Sequence, residues 1–174
     1  KNPFTFTSNS SIINVKHPNH GMHTVGDKVT FSNIVSDTLN VKLTSSLTVN
    51  ATEVLLTDLS DNAFNVSATN WWYKLDNEYV SGTNLGYIKI GDEIISYTGT
   101  TATGLTGCVR GVLDTTASTH SKDDVVQCYQ LNGIPLQQLN KTHTITDVIN
   151  MDEYQVTTTN KANFDLQSGG NKVL

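Results

Sequence analysis

Positive charge is scarce in this chain. Arg110 is the only arginine, Lys and Arg together number 11 of 174 residues, and the formal net charge is −5. Nucleic-acid binding needs a cluster of Lys and Arg, so we expect no nucleic-acid partner. Apolar runs of membrane-spanning length, a signal peptide and lipidation motifs are also missing, so we expect no membrane partner. Because the chain starts at Lys1 rather than Met, we interpret it as an internal or processed piece of a larger polypeptide.

Helical periodicity is almost absent as well. Only residues 134–140 predict a helical turn, in which Pro135 suits the first position and Leu136 and Leu139 share a face. Thr and Asn make up about a quarter of the chain, whereas charged residues make up 16%. Thr favours pleated, half-buried surfaces and Asn favours turns. The composition predicts an all-β protein whose uncharged polar surface suits permanent protein–protein packing.

The middle of the chain predicts a β-meander between residues 84 and 126. Two strands meet at a tight Gly91-Asp92 turn, and a polar turn at 100–104 leads to a third strand. Alternation marks the buried positions as Ile88, Ile90, Ile94 and Tyr97. Nothing in this stretch has the pattern of catalytic machinery, and we expect no enzymatic activity.

Further strands are predicted on both sides of the meander, at about 11–16, 28–34, 51–57, 142–150 and 153–159. The outer segments share a style of polar strands and tight turns that differs from the middle. We therefore predict a small β-sandwich or barrel-like outer domain, formed by residues 1–42 plus 130–174. A second β domain, residues 43–129, is inserted into it, as chain termini that lie close together permit.

Ordered motifs in both parts resemble building blocks of tailed-bacteriophage virion proteins, in particular baseplate and tail proteins of contractile-tailed cyanophages. The matching residues are His17–Gly21, Val25-Gly26-Asp27, Ile90–Gly99, Arg110-Gly111, Thr116-Ala117, His120, Gly133-Ile-Pro-Leu136 and Asn140-Lys-Thr-His143. The resemblance extends from about residue 12 to 159, and the chain departs from it at 62–81. It implies a structural virion role without catalytic residues or cofactors. It also implies assembly in the host cytoplasm with other virion proteins and copies of the chain itself.

Two other roles remain open from the sequence. The chain is alternatively a receptor- or carbohydrate-binding module of a tail fibre, with host surface glycans as partners, or a capsid decoration protein. Trp71, Trp72 and Tyr73 bear on this choice. They either close a small core, anchor a protein interface or stack against sugars.

Three histidines, His17, His20 and His23, have a spacing that raises the question of a metal site. Pro18 and Gly21 break any helix that would align the imidazoles, so we expect no metal and predict that His17 and His20 cap backbone groups. Adjacent acids such as Asp92-Glu93 point to opposite faces of a strand or turn. They therefore form no glycosidase pair, and we interpret them as solvated turn residues. Alternatively, Asp92 and Glu93 accept hydrogen bonds from the turn backbone.

Arg110 and His120 are the remaining candidates. A lone arginine in a weakly charged chain needs a fixed partner, and we predict that Arg110 reaches backbone carbonyls or an acid such as Asp114 or Asp92. That contact would hold the loop 115–120 in place, and contact with a neighbouring subunit is the alternative. Cys108 and Cys128 are predicted in strands, as half-buried thiols in preference to a disulfide.

Overall fold

The computed structural model describes residues 2–22, 24–35, 41–57, 86–101 and 103–168. The chain divides into two compact units, an outer unit of Lys1–Ile34 with Leu131–Leu174 and an inserted unit of Val35–Gln130. Strands account for 43% and helix for 3% of the structure, and the sheets are antiparallel, so the all-β prediction is confirmed. The finer expectation of a sandwich or barrel stays a prediction.

The strands are short and lie throughout the described chain. In chain order they are β1 Phe4–Phe6, β2 Ile12–Lys16, β3 Lys28–Thr30, β4 Val41–Lys42, β5 Val54–Leu55, β6 Gly86–Ile90, β7 Glu93–Tyr97, β8 Gly99–Thr100, β9 Gly104–Thr106, β10 Val125–Cys128, β11 Gln130–Leu131, β12 Ile134–Pro135, β13 Thr142–Thr144, β14 Asp147–Asn150, β15 Glu153–Thr157 and β16 Leu166–Ser168. The helix α1, Leu136–Leu139, follows Pro135. Pro135 is therefore the residue before the helix and not its first residue.

A five-stranded sheet organises the outer unit, in the order β14-β15-β2-β1-β16. Alternate residues of these strands point to one buried face, as period-two patterning requires. The buried apolar residues of this unit are Phe4, Phe6, Ile13, Val15, Phe31, Leu131, Ile134, Leu136, Leu139, Ile145, Tyr154, Val156 and Ala162. Burying a large apolar side chain contributes about 1.5–3 kcal/mol, so these residues together account for much of the unit's stability.

The segment predicted as one strand over 142–150 is two strands. Its first half, β13, pairs with β3, and its second half, β14, pairs with β15. Between them the Ile145 amide donates to the Asp27 carbonyl at 2.8 Å and the Ile145 carbonyl accepts from the Gly26 amide at 2.9 Å, while the Thr146 amide donates to the Gln155 carbonyl. The chain therefore passes from one sheet to another at Ile145, which is fully buried.

The described residues of the inserted unit form two sheets, with orders β4-β10-β6-β7 and β5-β9-β8. The β6–β7 hairpin forms as predicted, and Gly91 has the positive φ of 57° that its two-residue turn needs. The third strand differs from the predicted meander because β9 pairs with β8 and β5 and not with β7. The core consists of Val41, Leu43, Leu47, Val54, Leu56, Ile88, Ile90, Ile95, Tyr97, Leu105, Cys108 and Val126. Within the described residues, no helix reaches the length and apolarity needed to cross a membrane.

Candidate functional site: the Glu93 network and the histidine turn

A buried carboxylate lies at the centre of the most highly connected polar cluster. Glu93, the first residue of β7, is 1% exposed. Its Oε1 accepts from Arg110 Nε at 2.8 Å and from the Gly111 amide at 3.1 Å. Its Oε2 accepts from Arg110 Nη2 at 2.8 Å and from the Ser118 amide at 3.4 Å, and lies 2.5 Å from His120 Nε2. We call these groups the Glu93 network.

Arg110 also donates to backbone carbonyls on two other segments. Its Nη2 donates to the Ser118 carbonyl at 2.7 Å, and its Nη1 donates to the Thr48 carbonyl. The prediction that Arg110 binds backbone carbonyls is confirmed. The predicted acids were wrong, because the partner of Arg110 is Glu93 and neither Asp92 nor Asp114.

The Glu93 carboxyl is held in its charged form. Burial alone would raise its pKa, but the hydrogen bonds from Arg110 and His120, the Arg110 charge and the Ser118 amide outweigh burial. The pKa of Glu93 is therefore lowered below its ordinary value. Removing one partner of a buried ion pair of this kind strongly destabilises the fold, since the other charge would be left uncompensated.

The network fixes the loop between Arg110 and His120. Leu113 and Asp114 have φ of 56° and 63°, and the Thr115 amide donates to the Val112 carbonyl at 3.2 Å, which closes a tight turn. The Thr115 hydroxyl donates to the same carbonyl at 2.7 Å and accepts from the Ile94 amide at 3.0 Å. This loop is thus bonded to β7 as well as to the Glu93 network.

His120 joins the loop to another segment through its backbone. Its amide donates to the Leu47 carbonyl at 3.0 Å, and its carbonyl accepts from the Leu47 amide at 2.8 Å. Its ring meets Glu93, with 8% of the side chain exposed. The structure brings the two sequence candidates Arg110 and His120 together on one carboxylate.

Glu93 is not among the residues predicted as a site, because the Asp92-Glu93 pair has the pattern of a solvated turn. Asp92 is exposed, but Glu93 is buried, so that interpretation was wrong for Glu93. The available signal was the spacing of two that places Glu93 on the same face of β7 as Ile95 and Tyr97. A carboxylate on that apolar face requires a cation, and the chain has a single arginine.

A second cluster lies in the outer unit, where residues 17–22 wrap the β14–β15 turn; we call them the histidine turn. The His17 amide donates to the Asp152 carbonyl at 2.7 Å, and the His20 amide donates to the Met151 carbonyl at 3.3 Å. The Asn19 amide donates to Asp152 Oδ1 at 3.0 Å. Backbone hydrogen bonds therefore hold this turn against the hairpin.

The His20 ring has both nitrogens engaged. Its Nδ1 accepts from the Met22 amide at 2.9 Å, and its Nε2 lies 2.8 Å from the Asn150 carbonyl, to which it donates. His17 Nδ1 lies 3.2 Å from the Tyr154 hydroxyl. Burial and then the charge of His20 lower the pKa of His17. The prediction that His20 caps backbone groups is confirmed, whereas the His17 ring bonds a side chain.

The remaining candidates divide by position. Trp71, Trp72 and Tyr73 lie outside the described residues, as does His23. Cys128 is in β10, but Cys108 lies in no strand, which corrects the prediction for that residue. The two thiols are not bridged. Across the described ranges, no three side chains among His, Cys, Asp and Glu are grouped to hold a metal ion.

The geometry of the Glu93 network is that of a structural fastening. Five donors converge on the two carboxylate oxygens, and the side chain is shielded from solvent. A general acid or base must reach the proton it transfers on a substrate, and Glu93 is enclosed by its own chain. No protein-family model, curated protein or solved structure matches this chain.

Proposed function

We propose that this chain is a structural virion protein of a tailed bacteriophage, located in the baseplate or tail. It acts there by packing against copies of itself and other virion proteins. The motifs that resemble cyanophage tail and baseplate proteins support this assignment, and so does the all-β structure with 16% charged residues. A role in packing requires exposed surfaces that can be desolvated at low cost.

The outer sheet offers such a surface, and this observation carries the proposal. Opposite the buried face, Gln167, Thr5, Asn14 and Gln155 lie side by side on β16, β1, β2 and β15. We call these four residues the uncharged row; Gln167 is exposed, and the other three are half-buried. Gln155 Nε2 donates to Asn14 Oδ1 at 2.7 Å, so part of the row is already ordered by internal hydrogen bonding.

Charged side chains border the uncharged row. Asp147 faces Gln155 from the edge strand β14, and Lys16 and Glu153 face each other in the neighbouring row. Protein interfaces have charge-depleted centres and polar rims. The row with its charged border has this arrangement, and the amide and hydroxyl groups provide donors and acceptors for a partner.

The proposal is tested by placing one charge in the centre of the row. Thr5→Lys adds a cation between Asn14 and Gln167, and Thr159→Lys adds the same cation at an exposed loop position of the same unit. We expect the parent chain and Thr159→Lys to self-associate in sedimentation velocity runs over a dilution series. Thr5→Lys should sediment as a monomer with an unchanged circular dichroism spectrum.

A parent chain that stays monomeric at every concentration would contradict self-association. Equal association of all three proteins would exclude the uncharged row as the contact. The alternative of a glycan-binding tail-fibre module depends on Trp71, Trp72 and Tyr73, which lie outside the described residues. Binding to host surface glycans on an array would favour that module over a packing protein.

A further inference from the structure

The histidine turn depends on an uncharged imidazole. His20 Nδ1 must carry a lone pair, because it accepts the Met22 amide at 2.9 Å. Its Nε2 must carry the proton, because it lies 2.8 Å from a carbonyl oxygen, which only accepts. These two contacts fix the neutral Nε2–H tautomer of His20.

We propose that the histidine turn is an acid-sensitive latch on the β14–β15 hairpin, released when His20 takes up a proton at Nδ1. The proton would sit between Nδ1 and the Met22 nitrogen, so that two donors face each other. The Met22 amide then loses its acceptor, and the ring must turn away or the segment must leave the hairpin. Histidine is the side chain whose ordinary titration falls between pH 5 and 8.

The ring's surroundings couple this event to the rest of the latch. The His20 ring packs edge-on against Tyr154, with centroids 5.2 Å apart, and the His17 ring contacts the same tyrosine at 5.8 Å. The two imidazole centroids are 6.1 Å apart. Two imidazolium charges at that separation repel each other, so protonation of both rings opposes the closed latch.

Other charged groups border the turn. Asp152, Glu153 and Lys16 lie beside it on the hairpin and β2, around a shallow depression that Pro18 and Met151 also line. The two carboxylates carry negative charge and Lys16 carries positive charge, so both signs lie beside the turn. Asp152 Oδ1 already accepts from the Asn19 amide, so this oxygen is engaged within the turn.

His143 is a competing acid-sensitive group of the outer unit. It is 3% exposed, and burial lowers its pKa although its hydrogen bond to the Leu139 carbonyl acts in the opposite direction. Its protonation would destabilise the whole unit and not the histidine turn alone. The two effects are distinguished by comparing the Met22 amide with a central amide such as that of Val156 in β15.

The test is amide hydrogen exchange by NMR on the full chain at pH 8 and pH 5, expressed as protection factors to remove the intrinsic pH dependence. We expect the Met22 protection factor to fall at least about tenfold at pH 5, whereas that of Val156 changes little. In His20→Asn, an amide oxygen replaces Nδ1 as the acceptor and does not titrate, so Met22 protection should stay constant. Thr159→Asn, at an exposed loop position of the same unit, is the control and should behave as the parent.

Equal Met22 protection at the two pH values would overturn the proposal, and so would a pH response that survives in His20→Asn or disappears in Thr159→Asn. Parallel loss at Met22 and Val156 would assign the acid effect to His143. Should His20→Asn fail to close at pH 8, the nitrogen-15 shifts of the parent's His20 decide. A protonated Nδ1 at pH 8 would refute the latch, and a protonated Nε2 with acid loss at Met22 would support it.

Discussion

Replacing Arg110 with lysine tests whether guanidinium geometry, and not charge alone, holds the loop 111–120. Arg110 donates twice to Glu93 and once each to the carbonyls of Thr48 and Ser118. A lysine ammonium is a compact charge that cannot match this planar fork. We expect it to keep one contact with Glu93 and to lose at least two of the four hydrogen bonds.

The expected cost follows from those lost contacts. Hydrogen bonds to charged groups contribute about 1.5–3 kcal/mol each, so two of them at the lower value give about 3 kcal/mol. For a unit of this size, each kcal/mol shifts the melting temperature by roughly 4–8 °C. The melting transition of the inserted unit in Arg110→Lys should therefore move down by roughly 12–24 °C.

Scanning calorimetry measures this shift, and hydrogen exchange of a peptide covering 111–120 reports on the loop. Lys122→Ala is the matched control, since it removes an exposed cation that no described hydrogen bond or ion pair engages. Such a surface change costs within about 0.5 kcal/mol. If Arg110→Lys melts together with the control and its loop exchanges at the parent's rate, the fastening role of Arg110 is refuted.

Three further outcomes are expected. Because the pKa of Glu93 is lowered on folding, its contribution to stability is present above the ordinary value of 4.5 and is lost as pH falls through the folded pKa. An acid titration in which the unfolding free energy stays constant below pH 4.5 would contradict this. Asn140→Ala removes both hydrogen bonds that the Asn140 side-chain amide makes with the backbone of Ile34, each 2.8 Å. We expect the free energy of unfolding in urea to fall by about 2 kcal/mol, and a change under about 0.5 kcal/mol would contradict a stabilising role for these two bonds. Burial raises the pKa of Cys108 to about 12, so its thiol should resist iodoacetamide at pH 8 in the folded protein. Half-buried Cys128 is the internal comparison, and rapid labelling of Cys108 detected by mass spectrometry would refute its burial.

Local patterns predicted the elements that are governed by local rules. The strand at 11–16 appears as Ile12–Lys16, and the strand at 153–159 appears as Glu153–Thr157, because alternating apolar residues there face one core. The hairpin around Gly91 formed because a glycine at that turn position determines the register of both strands.

The ends of other strands could not be predicted from the local sequence pattern. A strand is predicted over 51–57, but the strand in the structure is limited to Val54–Leu55. Only these two residues pair with β9. The predicted strand at 28–34 ends at Thr30, after which the Phe31 amide still donates to the Lys141 carbonyl. Pairing partners that are distant in sequence decide where such strands end.

The candidate site was predicted only in part, because it also depends on contacts between residues that are distant in sequence. The sequence identified Arg110 and His120 because a lone arginine must be satisfied, but the position of its partner depends on the β6–β7 hairpin turning Glu93 toward Arg110. The histidine turn was recognised as a motif, whereas its role of covering the Asn150–Asp152 turn depends on strands more than a hundred residues apart. Both contacts depend on tertiary strand pairing, which the local spacing of residues does not predict.

The proposed packing role predicts that this chain is part of a phage particle, and a cryo-electron microscopy reconstruction of that particle is its most direct test. We expect both β units in the tail or baseplate density, in several symmetry-related copies, with the uncharged row of the outer sheet covered by a neighbouring protein. A particle without this chain, or one in which the row faces solvent in every copy, would contradict the proposed function.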